Sequence, residues 1–392
     1  MKRIAKITVA LLLAVAMCFS LAGCYDEDLN WSAKYDDTEL PAGAYIYYLS
    51  IAYNEAASKV STEDEVLKSE IDGTPAETWI KNRADEYVNQ YFYIQSEMKR
   101  LGLEMTDEDY STCLQTTENY WNYFGTSFEK FGIAKTSFDI AYSQYNRMYL
   151  KVFNALYGEG GENEVPESEL RRHIEDDYYD YEYFSAPLTK TDDDNKSVDL
   201  TDEEKADLKE TLEKYKTKIE AGAMTVNDAA TDYALKVQKD STYQTGIKDE
   251  NGMQSSYMPD AFVSAIKEMK EGDVEVVEST KYMIVLHRLP IKDDEDTLLE
   301  SSDNRSQLLL ELKNTEYADA VSAAAQSFEG VEWNQKVLNR YKPSMFADSS
   351  KNGTSSVASE SSDESASSEE SSAESSETSS ETSETSSESS AE

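Results

Sequence analysis

Apolar positions recur at helical spacing over most of this chain, and the exceptions mark its organisation. Ala44 to Ala57 (AYIYYLSIAYNEAA) is apolar on most sides, which predicts a helix buried among others. Thr74-Pro75-Ala76-Glu77 reads as a capping box, with Ile80, Ala84, Tyr87, Val88, Tyr91, Ile94, Met98 and Leu101 on one face of the helix that follows, up to Gly102. Similar starts recur at Thr106 with Asp109 and at Thr136 with Asp139. The latter opens a face of Phe138, Ala141, Tyr142, Tyr145, Met148, Tyr149, Val152 and Leu156, stopped by Gly158. Val165-Pro166-Glu167 opens another helix, so residues 44–176 read as a helical domain.

The period changes at Tyr179. Tyr181 to Leu188 is short and aromatic-rich, a strand, followed by the acidic loop Asp192 to Asp194. Thr201-Asp202-Glu203-Glu204 caps a helix closed by Gly222, and a shorter helix carries Ala229, Ala230, Tyr233 and Val237. A polar loop with Gly246 and Gly252 leads to a small helix from Met258-Pro259-Asp260 to Gly272. Strands Val274 to Val277 and Tyr282 to Leu289 complete a compact α+β unit. From Asp294 the pattern is helical again, through Leu308, Leu309, Leu312, Ala320, Val321, Ala324 and Phe328, but too short to stand alone. It is expected to pack on the N-terminal helices, making the α+β unit, residues 177–291, an insertion between two halves of one helical domain. The expected fold class is α+β.

Both ends stand apart from this pattern. Lys2, Arg3 and Lys6, the apolar run Val9 to Val15 and Leu21-Ala22-Gly23-Cys24 read as a lipoprotein signal over residues 1–23, with Cys24 as the lipidated residue and residues 24–43 as a tether. Such an anchor would hold the mature chain on the outer face of a bacterial cell membrane. Residues 346–392 are nearly all Ser, Glu, Thr and Ala, with no apolar periodicity and a strong excess of acid, the composition of a disordered tail.

Charge narrows the function. Against 37 Lys and Arg stand 78 Asp and Glu, a net charge of -41. A surface this acidic repels a phosphate backbone, so nucleic acid is not an expected partner. Most of the excess lies on the folded body, where it should hold the protein off anionic headgroups. Three cysteines leave Cys113 alone once Cys18 departs with the signal and Cys24 is acylated. It falls on the apolar side of the pattern Tyr110, Cys113, Leu114, Thr117, Trp121, Phe124 and reads as a buried, inert thiol. No His/Cys cluster fits a metal site, and the acid runs Asp192 to Asp194 and Asp293 to Asp296 lack the spacing of a calcium loop. No cofactor or metal is expected.

The order of elements, together with Leu101-Gly102-Leu103, Thr106-Asp107-Glu108-Asp109, Phe131-Gly132-Ile133-Ala134, Val165-Pro166-Glu167-Ser168-Glu169-Leu170 and Asp177-Tyr178-Tyr179, resembles the parvulin-type extracytoplasmic foldases and chaperones of the PrsA/SurA-like kind. Met258-Pro259-Asp260-Ala261-Phe262 leading to Lys270-Glu271-Gly272-Asp273-Val274, and Ser279 to Ile284, resemble the parvulin (PpiC-type) unit itself. The resemblance covers about residues 44–343. It implies a helical chaperone domain of residues 44–176 completed by residues 292–345, with an inserted parvulin-like antiparallel sheet. It also implies a bilayer-anchored protein acting on unfolded, newly exported proteins, with a homodimer among the assemblies it admits.

The departures bear on mechanism. Active parvulins carry a His on the first strand and another after the Tyr of the last; here the first strand has none and Met283 follows Tyr282. His287 lies four residues further on, about 13 Å along a strand. The resemblance therefore implies a degenerate parvulin unit with weak or absent isomerase activity, its pocket at Met258, Phe262, Tyr282 and Met283. An active prolyl isomerase is the alternative, and a solute-binding or structural lipoprotein a further one. With 27 Tyr in the chain, the aromatic and apolar side chains expected to meet clients are Met148, Tyr149, Phe153, Tyr181, Tyr183 and Phe184.

Overall fold

The computed structural model describes residues 29–60, 63–192, 194–237 and 243–347. The signal, Cys24 and the acidic tail from residue 348 on lie outside the described residues, while Phe346, expected in the tail, is buried in the core at 3% exposure because its ring packs on Tyr53 and Phe131. The fold class is α+β, as the pattern predicts.

Strands β1 (Trp31–Tyr35) and β2 (Thr38–Pro41) form a hairpin, and β11 (Glu332–Trp333) adds to β1 antiparallel, so the two ends of the folded chain meet in one small sheet. This corrects the reading of residues 24–43 as a plain tether. The turn is Asp36-Asp37, with Asp36 at φ 50, a conformation that acidic turn residues tolerate and that periodicity does not report. Asn334 ties the sheet further, its Nδ2 donating to Trp31 O at 2.8 Å.

Helix α1 (Ala42–Ser58) buries Tyr45, Ile46, Tyr47, Tyr48, Leu49 and Ala52 and packs along α2 (Ala76–Arg100). The expected capping box at Thr74 is absent. Thr74-Pro75 instead forms β4, paired with β3 (Glu70–Ile71), and Pro75 caps α2 without a side-chain hydrogen bond. The Asp72-Gly73 turn, both residues at positive φ, is a hairpin signal that claims Thr74 for a strand.

Helix α3 (Asp107–Lys130) does begin with the capping box expected at Thr106 and Asp109. The start expected at Thr136 is not a cap. Helix α4 (Lys135–Phe138) begins one residue earlier after Ala134 and runs into a π-helical segment, Asp139–Gln144, before α5 (Tyr145–Tyr157). Asp139 takes other partners: Thr117 Oγ1 donates to its Oδ1 at 2.7 Å and Gln144 Nε2 to its Oδ2 at 2.6 Å. A buried carboxylate that can be satisfied across two elements outweighs a local cap. Helix α6 (Glu167–Asp177) then leads to the inserted unit.

That unit is a four-stranded antiparallel sheet in the order β8 (Tyr243–Lys248), β5 (Tyr179–Pro187), β10 (Tyr282–Leu289), β9 (Val274–Glu278), with a separate hairpin of β6 (Thr189–Thr191) and β7 (Ser197–Asp199). Helices α7 (Asp202–Glu220) and α8 (Val226–Lys236), each with a Thr capping box, cover one sheet face around Phe184, Met283 and Val285. Helices α9 (Glu250–Ser255) and α10 (Asp260–Glu268) cover the other around Tyr181, Ile284 and Leu286. The segment read as a polar loop thus holds strand β8 and helix α9. An edge strand with one solvated side carries too few apolar residues to show in the pattern.

After α11 (Glu295–Glu300), helix α12 (Ser302–Gln326) lies against α2 and α5, burying Leu308, Leu309, Tyr317 and Val321 in the core that α1, α2 and α5 form. Each such side chain contributes about 1.5–3 kcal/mol. Asn89 Nδ2 donates to Ala325 O at 3.1 Å and Tyr149 Oη to Asn314 Oδ1 at 3.1 Å, fixing the register. Helix α13 (Gln335–Arg340) packs against β1, and a 3-10 turn at Pro343–Phe346 follows it against α1 and α2.

Candidate functional site

In the inserted unit, alternation along β5 and β10 decides what the sheet can present. Tyr181, Tyr183, Ile284 and Leu286 point to the α9–α10 side, where Phe262 meets the rings of Tyr181 and Tyr183 edge-on, each at 5.2 Å. Tyr183 Oη lies 3.9 Å from Met258 Sδ. Gly246 on β8 makes room for this wall: a Cβ there would stand 2.6 Å from Tyr181 Oη. Met258 and Phe262 are therefore together as expected, and Tyr282 shares their sheet face, 41% exposed at the strand end.

Met283 is not with them. It points to the opposite face and packs with Phe184 and Val285 under α7 and α8, because a period of two places neighbours on a strand on opposite sides. The four residues expected to form one pocket thus divide between two sheet faces, and Phe262 is fully buried.

His287 also lies on the α7–α8 face. Its Nδ1 is 2.8 Å from Glu182 Oε1, and Tyr243 Oη donates to Glu182 Oε2 at 2.7 Å. Burial pushes the Glu182 carboxyl up, but the His287 and Tyr243 bonds outweigh it and hold it below its usual value. Among the described residues neither histidine reaches the wall of Met258, Phe262 and Tyr183, since His173 lies on α6 and His287 on the opposite sheet face. The wall's polar group is a phenol, and burial raises the pKa of Tyr183, so that it stays a neutral donor. Such a wall can pack an apolar ring and offer a weak hydrogen bond; it cannot shuttle a proton near neutral pH.

The residues expected to touch clients divide sharply. Phe153, Tyr181 and Phe184 are fully buried and Met148 nearly so, and they hold cores together. Tyr149 is half-buried, its ring 4.6 Å from Tyr317. Tyr183 is half-buried against Phe262. Aromatic spacing alone could not separate a packed ring from an offered one.

Residues that do stand free were assigned elsewhere. On α3, Tyr110 and Leu114 were read on the apolar side; they are exposed, as is Tyr123, while Cys113 and Thr117 face inward. Inside that seam, Arg147 Nε and Lys151 Nζ each lie 2.6 Å from the buried Asp109 carboxylate. Burial pushes the Asp109 carboxyl up, but Lys151, Thr106 and Arg147 together hold it well below the usual carboxylate range. Burial raises the Cys113 thiol to about 11, and its Sγ donates to Ser143 O at 3.5 Å, which makes it inert. Tyr257, beside Met258, is exposed at φ 56.

Two open grooves lie in the helical body. One of about 440 Å³ is lined by Thr38, Gln95, Met98, Leu103 and Met148 among others; the second, of about 280 Å³, by Trp79, Arg83, Glu55 and Glu86. Among the described residues no group of three or more His, Cys, Asp or Glu could hold a metal ion, and no helix is long and apolar enough to cross a membrane.

No family model and no curated protein matches the chain. Solved structures similar to it are foldase protein PrsA from Streptococcus pneumoniae, at 13% identity over 71% of this chain and 97% of that one with a TM-score of 0.34, and foldase protein PrsA from Lactococcus lactis, at 14% identity over 81% and 98% with a TM-score of 0.34. PrsA from Bacillus subtilis is similar at 15% identity over 71% and 93%, with a TM-score of 0.29.

Proposed function

We propose that the chain is an extracytoplasmic chaperone of exported proteins, tethered to the outer face of a bacterial membrane through acylated Cys24, with an inserted parvulin-like unit that has lost most or all isomerase activity. The division is that of the sequence: a helical chaperone domain of residues 44–176 and 292–345, and a parvulin-like unit of residues 177–291. One observation carries the reading. A helical body completed by α12 holds an inserted antiparallel sheet whose Phe262 wall offers only a phenol, while its one histidine is bonded to Glu182 on the other face. An apolar wall without a proton-transferring group suits holding a chain better than turning over its proline bonds.

Exposed Tyr110, Leu114, Tyr123, Tyr257 and Tyr282 give the surface amphipathic contact area for unfolded segments. Two assays test the reading together: suppression of aggregation of an unfolded client by the purified protein, and cis–trans exchange of a proline peptide. Protection at stoichiometric amounts with exchange at the uncatalysed rate is the expected pair. No protection removes the chaperone; fast exchange restores the enzyme.

A further inference from the structure

The inserted unit crosses to the helical body twice, at 177–180 and at 289–294, and both crossings are built from titratable groups. Apolar contact there is small. Among the described residues Ile247 is the unit's only side chain packed on the body's core, beside Tyr178 and Ile291 at the crossings themselves. A joint with so little buried apolar area leaves relative motion of the two bodies as the default.

At the first crossing His173 on α6 sits between two carboxylates, Nδ1 at 2.7 Å from Asp177 and Nε2 at 2.9 Å from Glu311 of α12. Tyr178 Oη donates to the same Glu311 at 2.8 Å, Gln307 Nε2 donates to it at 3.2 Å, and Asp249, ahead of α9, faces the cluster from the inserted unit. Asp180, at the start of β5, links the first crossing to the second; it is 4% exposed, and its Oδ2 has no hydrogen-bond donor. Asp294, at the start of α11, faces it within hydrogen-bonding reach; Glu182, Tyr181 and Tyr243 are its other titratable neighbours, with His287 beyond Glu182. Further out, Arg171 of α6 holds Glu295 at 2.8 Å and Asp296 at 2.7 Å, and Lys292 holds Glu175 at 3.1 Å.

We propose that this joint is a proton-controlled hinge, closed when the Asp180–Asp294 pair shares a proton and His173 carries its charge, and loosened when both protons leave. A shared proton supplies the donor that Asp180 lacks, whereas two ionised carboxylates within hydrogen-bonding reach repel. His173, when charged, neutralises part of the Asp177–Glu311 cluster that joins α6 to α12, and when neutral leaves it acidic. The two crossings respond with the same sign. Burial first and Asp294 second push Asp180 up toward neutrality, and Glu311 and then Asp177, working against burial, raise His173. Each group thus favours the closed joint below its ordinary pKa and loses that contribution as pH rises through its raised one. This device goes beyond the chaperone reading and holds or fails independently of it.

Hydrogen exchange on the full chain tests it, with rates divided by the intrinsic chemical rate at each pH. Protection of amides at 177–180 and 289–294 is expected to be about tenfold or more greater at about pH 5.5 than at about pH 8, the change one pKa unit produces. Helix α2 serves as the internal control and should not change. Asp180→Asn, which cannot ionise, should keep only the part of the response that His173 supplies, and His173→Gln only the part that Asp180 supplies. Equal protection in the wild type at both values overturns the proposal, as does an Asp180→Asn variant that keeps the full response. If Asp180→Asn fails to fold, Asp294→Asn gives the same reading from the other carboxyl.

Discussion

His287 stands directly across the β10–β5 ladder from Glu182, its Nδ1 2.8 Å from the carboxylate, on the sheet face turned away from Phe262. The imidazole is thereby committed to a structural hydrogen bond with a carboxylate that Tyr243 also donates to. His287→Ala should lower stability by about 1–3 kcal/mol, because Glu182 loses a hydrogen-bond partner in a half-buried site. Proline-peptide exchange should not change. A tenfold loss of exchange with an unaltered melting temperature would show instead that His287 acts in catalysis.

Two residues of the expected pocket give different experiments. Phe262 is fully buried between Tyr181 and Tyr183, so Phe262→Ala should cost about 3–5 kcal/mol through the cavity it leaves. Any loss of activity in that variant then reports unfolding. Tyr282→Ala, at an exposed strand end, should cost within about 0.5 kcal/mol and is the sound probe of residual exchange. Thermal melts of both variants check the contrast, and equal losses would contradict the packing.

Asp109 makes stability acid-sensitive. Its folded carboxyl lies below the usual value, so the contribution is fully present above about pH 4, the ordinary aspartate range, and is lost as pH falls further. Asp109→Asn should destabilise α3 by about 2–4 kcal/mol at neutral pH, since Arg147 and Lys151 lose the buried charge they share. The difference from wild type should shrink as urea melts are repeated toward about pH 3. A difference constant across that range would mean that the carboxylate's charge contributes nothing.

The exposed apolar side chains of α3 can be removed without touching a core. Tyr110→Ser, Leu114→Ser and Tyr123→Ser combined should reduce aggregation suppression severalfold, while each changes stability by no more than about 0.5 kcal/mol. Full protection by the triple variant would shift client contact to the inserted unit or the body grooves.

The α+β class, the long helices and the two central strands β5 and β10 were legible in the sequence because their periodicity extends over many residues, as from Ile80 to Met98 or from Tyr282 to Leu289. Caps were legible at Thr106 and Thr201, where the acid three residues on still reaches the N-cap backbone although Asp109 also meets Arg147 and Lys151 and Glu204 also meets Lys190. They misled at two other places: Thr74 was taken by the Asp72-Gly73 hairpin, and Asp139 by Thr117 and Gln144.

By itself the sequence determined the absence of histidine on the first strand, the acidity of the body and which segments could form helices, since these are properties of composition and local spacing. Tertiary structure alone decided which aromatic side chains are offered and which are spent on packing. Tyr181 and Phe184 are three residues apart on one strand, both fully buried, yet they serve different cores on opposite faces of the sheet. It also decided that Asp180 meets Asp294, more than a hundred positions away, because a shared proton depends on proximity in space, which no local pattern encodes.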